Sequence, residues 1–215
     1  MKKYIYIAAI IMTCAMICSC GAERNLKKAE KYLALGEYYD AATQFKQAYT
    51  KTSPKERDKR GQYALKMAFC YEKTNSVQKA VAAYRNAIRY NLADTNDRLS
   101  YARQLLKAGD FMLAASEFMA VLDSMPDNLL AKNGLISAQN APQWKKDGSR
   151  YTVKRMDVFN SRRAEFSPVL AGDQYEKLYF TSTRNEAQGN ELRGITGTKP
   201  GDIFLSEKDD KGKWG

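Results

Sequence analysis

Three stretches of the chain repeat one spacing of small and aromatic side chains. Gly36-x-Tyr38-x-x-Ala41-x-x-x-Phe45-x-x-Ala48 is followed by Val77-x-x-Ala80-x-x-x-Tyr84-x-x-Ala87. The third copy is Gly109-x-Phe111-x-x-Ala114-x-x-x-Phe118-x-x-Val121, closed by Pro126. Small, aromatic and small residues at i, i+4 and i+7 lie along one helix face. Ala then lets a neighbouring helix approach, and the ring fills the gap beside it. A first helix is predicted upstream of each copy, carrying Ala29 and Tyr32, Ala68 and Tyr71, or Ala102 and Leu105. Gly36 and Gly109 fall at the turn between the helices, where positive φ is cheap for glycine, and Asn75 holds that place in the second copy.

The offsets from Ala80 to Ala114 and from Tyr84 to Phe118 are both 34, whereas Ala41 to Ala80 is 39, so five residues are inserted. The insertion fits Tyr49 to Lys59, a charged stretch around Ser53-Pro54. This pattern resembles the tetratricopeptide repeat, in copies at about residues 22–55, 61–94 and 95–128, without the Trp near each repeat start, where Asn25, Ala64 and Arg98 stand. Leu129 to Asn140 reads as a further first helix that caps the stack with a polar face. The resemblance implies a groove lined by the first helices, with Gln62, Leu65, Phe69 and Glu72 facing a partner beside Asn96, Leu99, Arg103 and Leu106. These positions lack the Lys and Asn set with which family members clamp a peptide carboxylate.

After Ala141 the helical period stops. Residues 141–163 form a basic connector in which Tyr151 to Met156 alternates with period two and predicts a strand. Three more short β runs follow, at Glu165–Leu170, Lys177–Arg184 and Gly201–Ser206, and read as a meander. Phe-Ser-Pro, Leu-Tyr-Phe-Thr-Ser-x-Arg, Asp-Ile-Phe and Gly-x-Trp resemble the opening blade of TolB-like propellers, with Ser167-Pro168 starting the blade at a turn and Asp202 beginning its next strand. A propeller closes with ~4 to 8 blades. Residues 164–215 supply one incomplete blade, so the chain is expected to be an N-terminal fragment. The fold class is therefore α then β: a tetratricopeptide-repeat α-solenoid followed by a truncated first blade of a β-propeller.

The N-terminus adds a targeting signal. Lys2 and Lys3 precede the uncharged run Tyr4 to Cys18, which is shorter than the ~20 apolar residues of a spanning helix and reads as an export signal over residues 1–19. An uncleaved membrane anchor is the alternative. Ile17-Cys18-Ser19-Cys20 resembles the lipobox of bacterial lipoproteins, which implies a lipid on Cys20 as the first mature residue. Of 4 Cys, only Cys70 then stays free, so no disulfide framework is possible, and its apolar helical setting marks an inert thiol.

Composition narrows the chemistry. The 215 residues include no His, which removes His-based nucleophile triads and every zinc site with His ligands. No Gly-rich phosphate loop or metal-ligand cluster is visible, so catalytic and metal residues and cofactors are all read as none. The net charge of +11 favours anionic lipid or an acidic partner, and an exported protein meets no nucleic acid.

Lipobox, repeats, connector and blade in this order resemble the multidomain outer-membrane lipoproteins of Bacteroidetes that end in an OmpA-type domain, some of them in the type IX secretion system. The resemblance implies a non-enzymatic interaction scaffold. It would meet envelope proteins through the groove, the membrane through lipid on Cys20, and peptidoglycan through domains beyond Gly215. Gly21 to Asn25 lack an acidic export cluster, which implies that the protein faces the periplasm. Asp123-Ser124-Met125 matches the phylum's O-glycosylation pattern at Ser124. The alternative function is the N-terminal part of an exported propeller-containing peptidase.

Overall fold

The computed structural model describes residues 21–215; the export signal, the lipobox and Cys20 lie outside the described residues. The chain forms two compact units that divide between Gly148 and Ser149. In the first, a helix at 21–34 (α1) is followed by α2 (Tyr38–Lys51), α3 (Arg57–Lys73), α4 (Val77–Arg89), α5 (Thr95–Ala108), α6 (Phe111–Ser124) and α7 (Leu129–Asp147).

The small and aromatic residues form the core. Ala41, Phe45 and Ala48 are fully buried, as are Ala114, Phe118 and Val121, and Tyr84 is buried between Ala80 and Ala87. On the first helices Ala29, Ala68, Ala102 and Leu105 have no exposed surface, while Tyr32 and Tyr71 pack half-buried against the same cluster. From α2 onward each helix packs on the next in the chain, and α7 touches both α6 and α5.

One turn geometry recurs between the helices of each pair. Gly36, Asn75 and Gly109 have φ of 74°, 52° and 82°. The following N–H reaches back five residues each time, Glu37 to Tyr32 O at 2.9 Å, Ser76 to Tyr71 O at 2.8 Å and Asp110 to Leu105 O at 3.0 Å. That pairing satisfies carbonyls that a helix end would otherwise leave unpaired. Asn91, with φ of 62°, repeats the turn after α4 through Leu92 N–H to Ala87 O at 3.2 Å.

Two expectations for the end of the array are corrected. The last helix does not stop at Asn140 but runs to Asp147 with Pro142 inside it. Proline costs that helix one backbone donor without ending it. Its outer surface is not uniformly polar either, because Leu129, Leu130, Ile136 and Trp144 are exposed.

In the second unit β1 (Glu165–Ala171), β2 (Lys177–Ser182) and β3 (Asp202–Glu207) form an antiparallel sheet in chain order, the expected meander. Ser167-Pro168 lies inside β1, at an irregularity in the strand and not at a turn. The register shifts between Phe166 and Val169, and Ser167 has φ of 53°, so the pair makes a bulge that accommodates a proline without a ladder donor. Tyr151 to Met156 is not a strand. Its hydrogen-bonding groups close a local turn instead: Met156 N–H donates to Asn160 Oδ1 at 3.2 Å, Arg155 Nη2 donates to Asn160 O at 3.1 Å, and Arg155 pairs with Asp157 at 2.8 Å.

One face of the sheet is covered. Phe180 stacks on Phe204 with centroids 6.0 Å apart, and Phe159 sets its ring edge-on to both Phe180 and Trp214. The other face, with Phe166, Val169, Tyr179, Ile203 and Leu205, is exposed.

Candidate functional site: the first-helix groove

The groove residues come from α3 and α5, whose Schellman turns set where each helix ends. Gln62 and Asn96 are exposed near the starts of their helices, and Arg103 is half-exposed further along α5. Leu65 and Leu106 are half-buried against the core. Leu99 does not face a partner: at 8% exposure it belongs to the core, because α5 turns this position into the seam with its neighbours.

The geometry converges on Glu72. One carboxylate oxygen accepts a hydrogen bond from Tyr84 Oη at 2.8 Å, and the other lies 3.9 Å from Arg103 Nη1. Tyr84 is 3% exposed, and burial, with the Glu72 charge beside it, pushes its phenol well above the ordinary value of 10. The hydroxyl therefore stays a donor at any physiological pH. It fixes the carboxylate of α3 where the guanidinium of α5 can meet it, a charged bridge between two first helices. Phe69 lies one turn before Glu72, 42% exposed, with Tyr38 edge-on at 6.0 Å and the Lys73 ammonium 5.1 Å from its centroid.

The structure thus brings Phe69, Glu72 and Arg103 into one surface. Tyr84 was legible only as a core ring. Its hydroxyl is the missed signal, since the registered positions 45 and 118 carry Phe.

A second cluster ties the inserted segment to the end of α4. Arg60 donates to Tyr49 O at 3.1 Å, to Thr52 O at 2.8 Å and to Tyr90 Oη at 3.0 Å, with its guanidinium 3.9 Å over the Tyr49 ring. Arg57 and Arg89 flank the Tyr90 ring at 5.4 and 5.3 Å. Hydrogen bonding from Tyr49 and Arg60, reinforced by the Arg60 charge, pulls the Tyr90 phenol down to about 8.

Cys70 is fully buried, and burial pushes its thiol up to about 12, which leaves it neutral and unreactive. Ser124 is exposed at the last residue of α6.

No family model and no curated protein matches the sequence. Among solved structures the chain is similar to the C-terminal TPR-containing domain of an FK506-binding protein of Plasmodium falciparum. The TM-score is 0.51 at 14% identity, over 62% of this chain and 96% of that domain. At that identity the likeness is one of fold. The described helices have a tetratricopeptide-like arrangement, followed by a small three-stranded antiparallel sheet.

Proposed function

We propose that the chain is a non-enzymatic interaction scaffold, lipid-anchored through Cys20 in the outer membrane and facing the periplasm, that holds partner proteins in the groove of its first helices. The observation that carries the binding role is the Glu72–Arg103 bridge, held by Tyr84 beside the exposed ring of Phe69. A surface with an oriented carboxylate, a guanidinium and an aromatic edge suits a helix or extended segment laid along it. The sheet of the second unit would open a propeller, and domains following it would reach peptidoglycan. That arrangement is the place PorE holds in the type IX secretion system, which this chain resembles in its order of parts. The exposure of Ser124 is compatible with a glycan there.

Two experiments test this. A photo-reactive residue at Gln62 or Asn96 should yield discrete envelope-protein adducts in cells, and Phe69→Ala with Arg103→Glu should abolish them. Adducts that persist in the double variant would contradict the groove. Cys20→Ala should release the protein from the membrane fraction, and unchanged detergent partitioning would contradict the anchor.

A further inference from the structure

Residues of α2, α3 and α4 line a cavity of about 280 Å³ in the helical array. Met67, Tyr49, Tyr71 and Ala82 supply its apolar lining, and two lysines, Lys46 and Lys79, line it as well. None of the lining residues is acidic, and neither lysine has a carboxylate partner among the described residues. Lys79 Nζ lies 5.7 Å from the centroid of Tyr71, and Tyr49 carries the Arg60 guanidinium 3.9 Å over its ring. The aromatic walls are thus capped by cations, and Arg57 and Arg89 extend the positive field past Tyr90.

Size and charge together select the occupant. The cavity falls just below the ~300–1,000 Å³ of sites that enclose a whole small molecule, and so suits one side chain presented by a larger partner. Cations without carboxylate partners around an apolar recess favour a partner whose neighbouring groups are anionic, because these are attracted to both lysines, whereas a basic partner is repelled and a neutral one gains nothing from them. We propose that this cavity is a docking point for one aromatic or large aliphatic side chain of an acidic peptide segment, separate from the first-helix groove. Its residues lie on α2, α3 and α4, and it shares none with the groove.

The probe is a fluorescein-labelled peptide with one phenylalanine flanked on each side by three glutamates, titrated with the full chain and followed by anisotropy. Saturable binding is expected, weakened about tenfold or more by Lys46→Glu with Lys79→Glu, and similarly by Ala82→Trp, which fills the recess from an exposed helix position. Circular dichroism verifies that each variant keeps its helices. Arg103→Glu, in the groove, should leave the affinity unchanged, so failure of the groove reading and failure of this one remain distinguishable. The proposal is overturned if no saturation appears up to about 1 mM. It is equally overturned if a peptide with alanine in place of phenylalanine binds as well, if Ala82→Trp has no effect, or if Arg103→Glu removes binding.

Discussion

At the residue scale, the tightest fit in the array is Gly134 against Phe118. A Cβ built at Gly134 would overlap the Phe118 ring, which has no exposed surface and nowhere to retreat. In an open helix Gly→Ala gains ~1 kcal/mol of propensity, whereas overpacking a closed core costs ~1–3 kcal/mol. The second effect wins here. Gly134→Ala should lower stability by about 1–2 kcal/mol in denaturant unfolding, and Phe118→Leu in the same chain should recover part of the loss, a coupling that separate sites do not show.

Tyr90 makes a different residue-scale prediction. With its folded pKa near 8 and an ordinary value of 10, one of the 14 tyrosines should ionise early in a near-ultraviolet pH titration. Tyr90→Phe should delete that step, and Arg60→Met should move it toward 10. An acid whose folded pKa is depressed adds stability where it is ionised. The contribution is full above pH 10, shrinks between 10 and 8, and is absent at neutral pH. A titration in which all tyrosines ionise together would show that the Arg60 and Tyr49 contacts do not hold the phenolate.

At the scale of elements, the helix pairs were legible because an Ala, ring, Ala spacing has one physical reading: a face that another helix must cover. The turns were legible too, since Gly36, Asn75 and Gly109 are the residue types that accept positive φ. What failed had no such unique reading. Tyr151 to Met156 alternates like a strand, but alternation supplies no partner, and the local turn around Arg155 and Asn160 takes the backbone groups. The helical period breaks around Ala141, yet the helix continues through Pro142 to Asp147. Leu99 shows the groove's limit: a repeat register assigns a face, but rotation of the helix within its packing decides whether an apolar side chain on that face is covered. The Glu72, Tyr84 and Arg103 convergence joins three helices, and no local pattern announces it.

The β strands depend on one polar clamp. Glu165 Oε1 accepts from Ser161 Oγ at 2.5 Å and Ser182 Oγ at 2.9 Å, and lies 3.7 Å from Arg184 Nη2. Arg184 in turn donates to Phe159 O at 2.5 Å and covers the rings of Phe180 and Phe204. Desolvation raises the Glu165 pKa, but the serine hydrogen bonds and the Arg184 charge outweigh it, so the net shift is below the ordinary 4.5. Its stabilising effect is therefore full above pH 4.5 and is lost as pH falls through the lower folded value. Glu165→Gln should lower the melting temperature of the β unit at pH 7 and flatten its acid dependence. Equal acid sensitivity in the wild type and the variant would assign the clamp no role.

At the scale of the molecule, the two units are built on different terms. The helical unit buries a continuous row of small and aromatic side chains from α1 to α7. The β unit, Ser149–Gly215, buries Phe180, Ser182 and Ser206 on one side of its sheet and leaves Val169, Ile203 and Leu205 exposed at 58%, 75% and 47% on the other. A unit this small, with half its sheet open, has little stability to spare. Heating should therefore melt the β unit first. Trp214 reports it, provided Trp144 of α7 is replaced by Phe, and helical ellipticity should persist to a higher temperature. The open face adds a sharper criterion. Lysines at Val169 and Ile203 remove no buried contact, so the lower transition should move by no more than a few degrees, as surface substitutions usually contribute within about ±0.5 kcal/mol. A collapse of that transition in the lysine variant would mean that further chain or another molecule covers the face in solution. A single coincident melt of Trp214 and ellipticity would instead mean that the two units unfold as one.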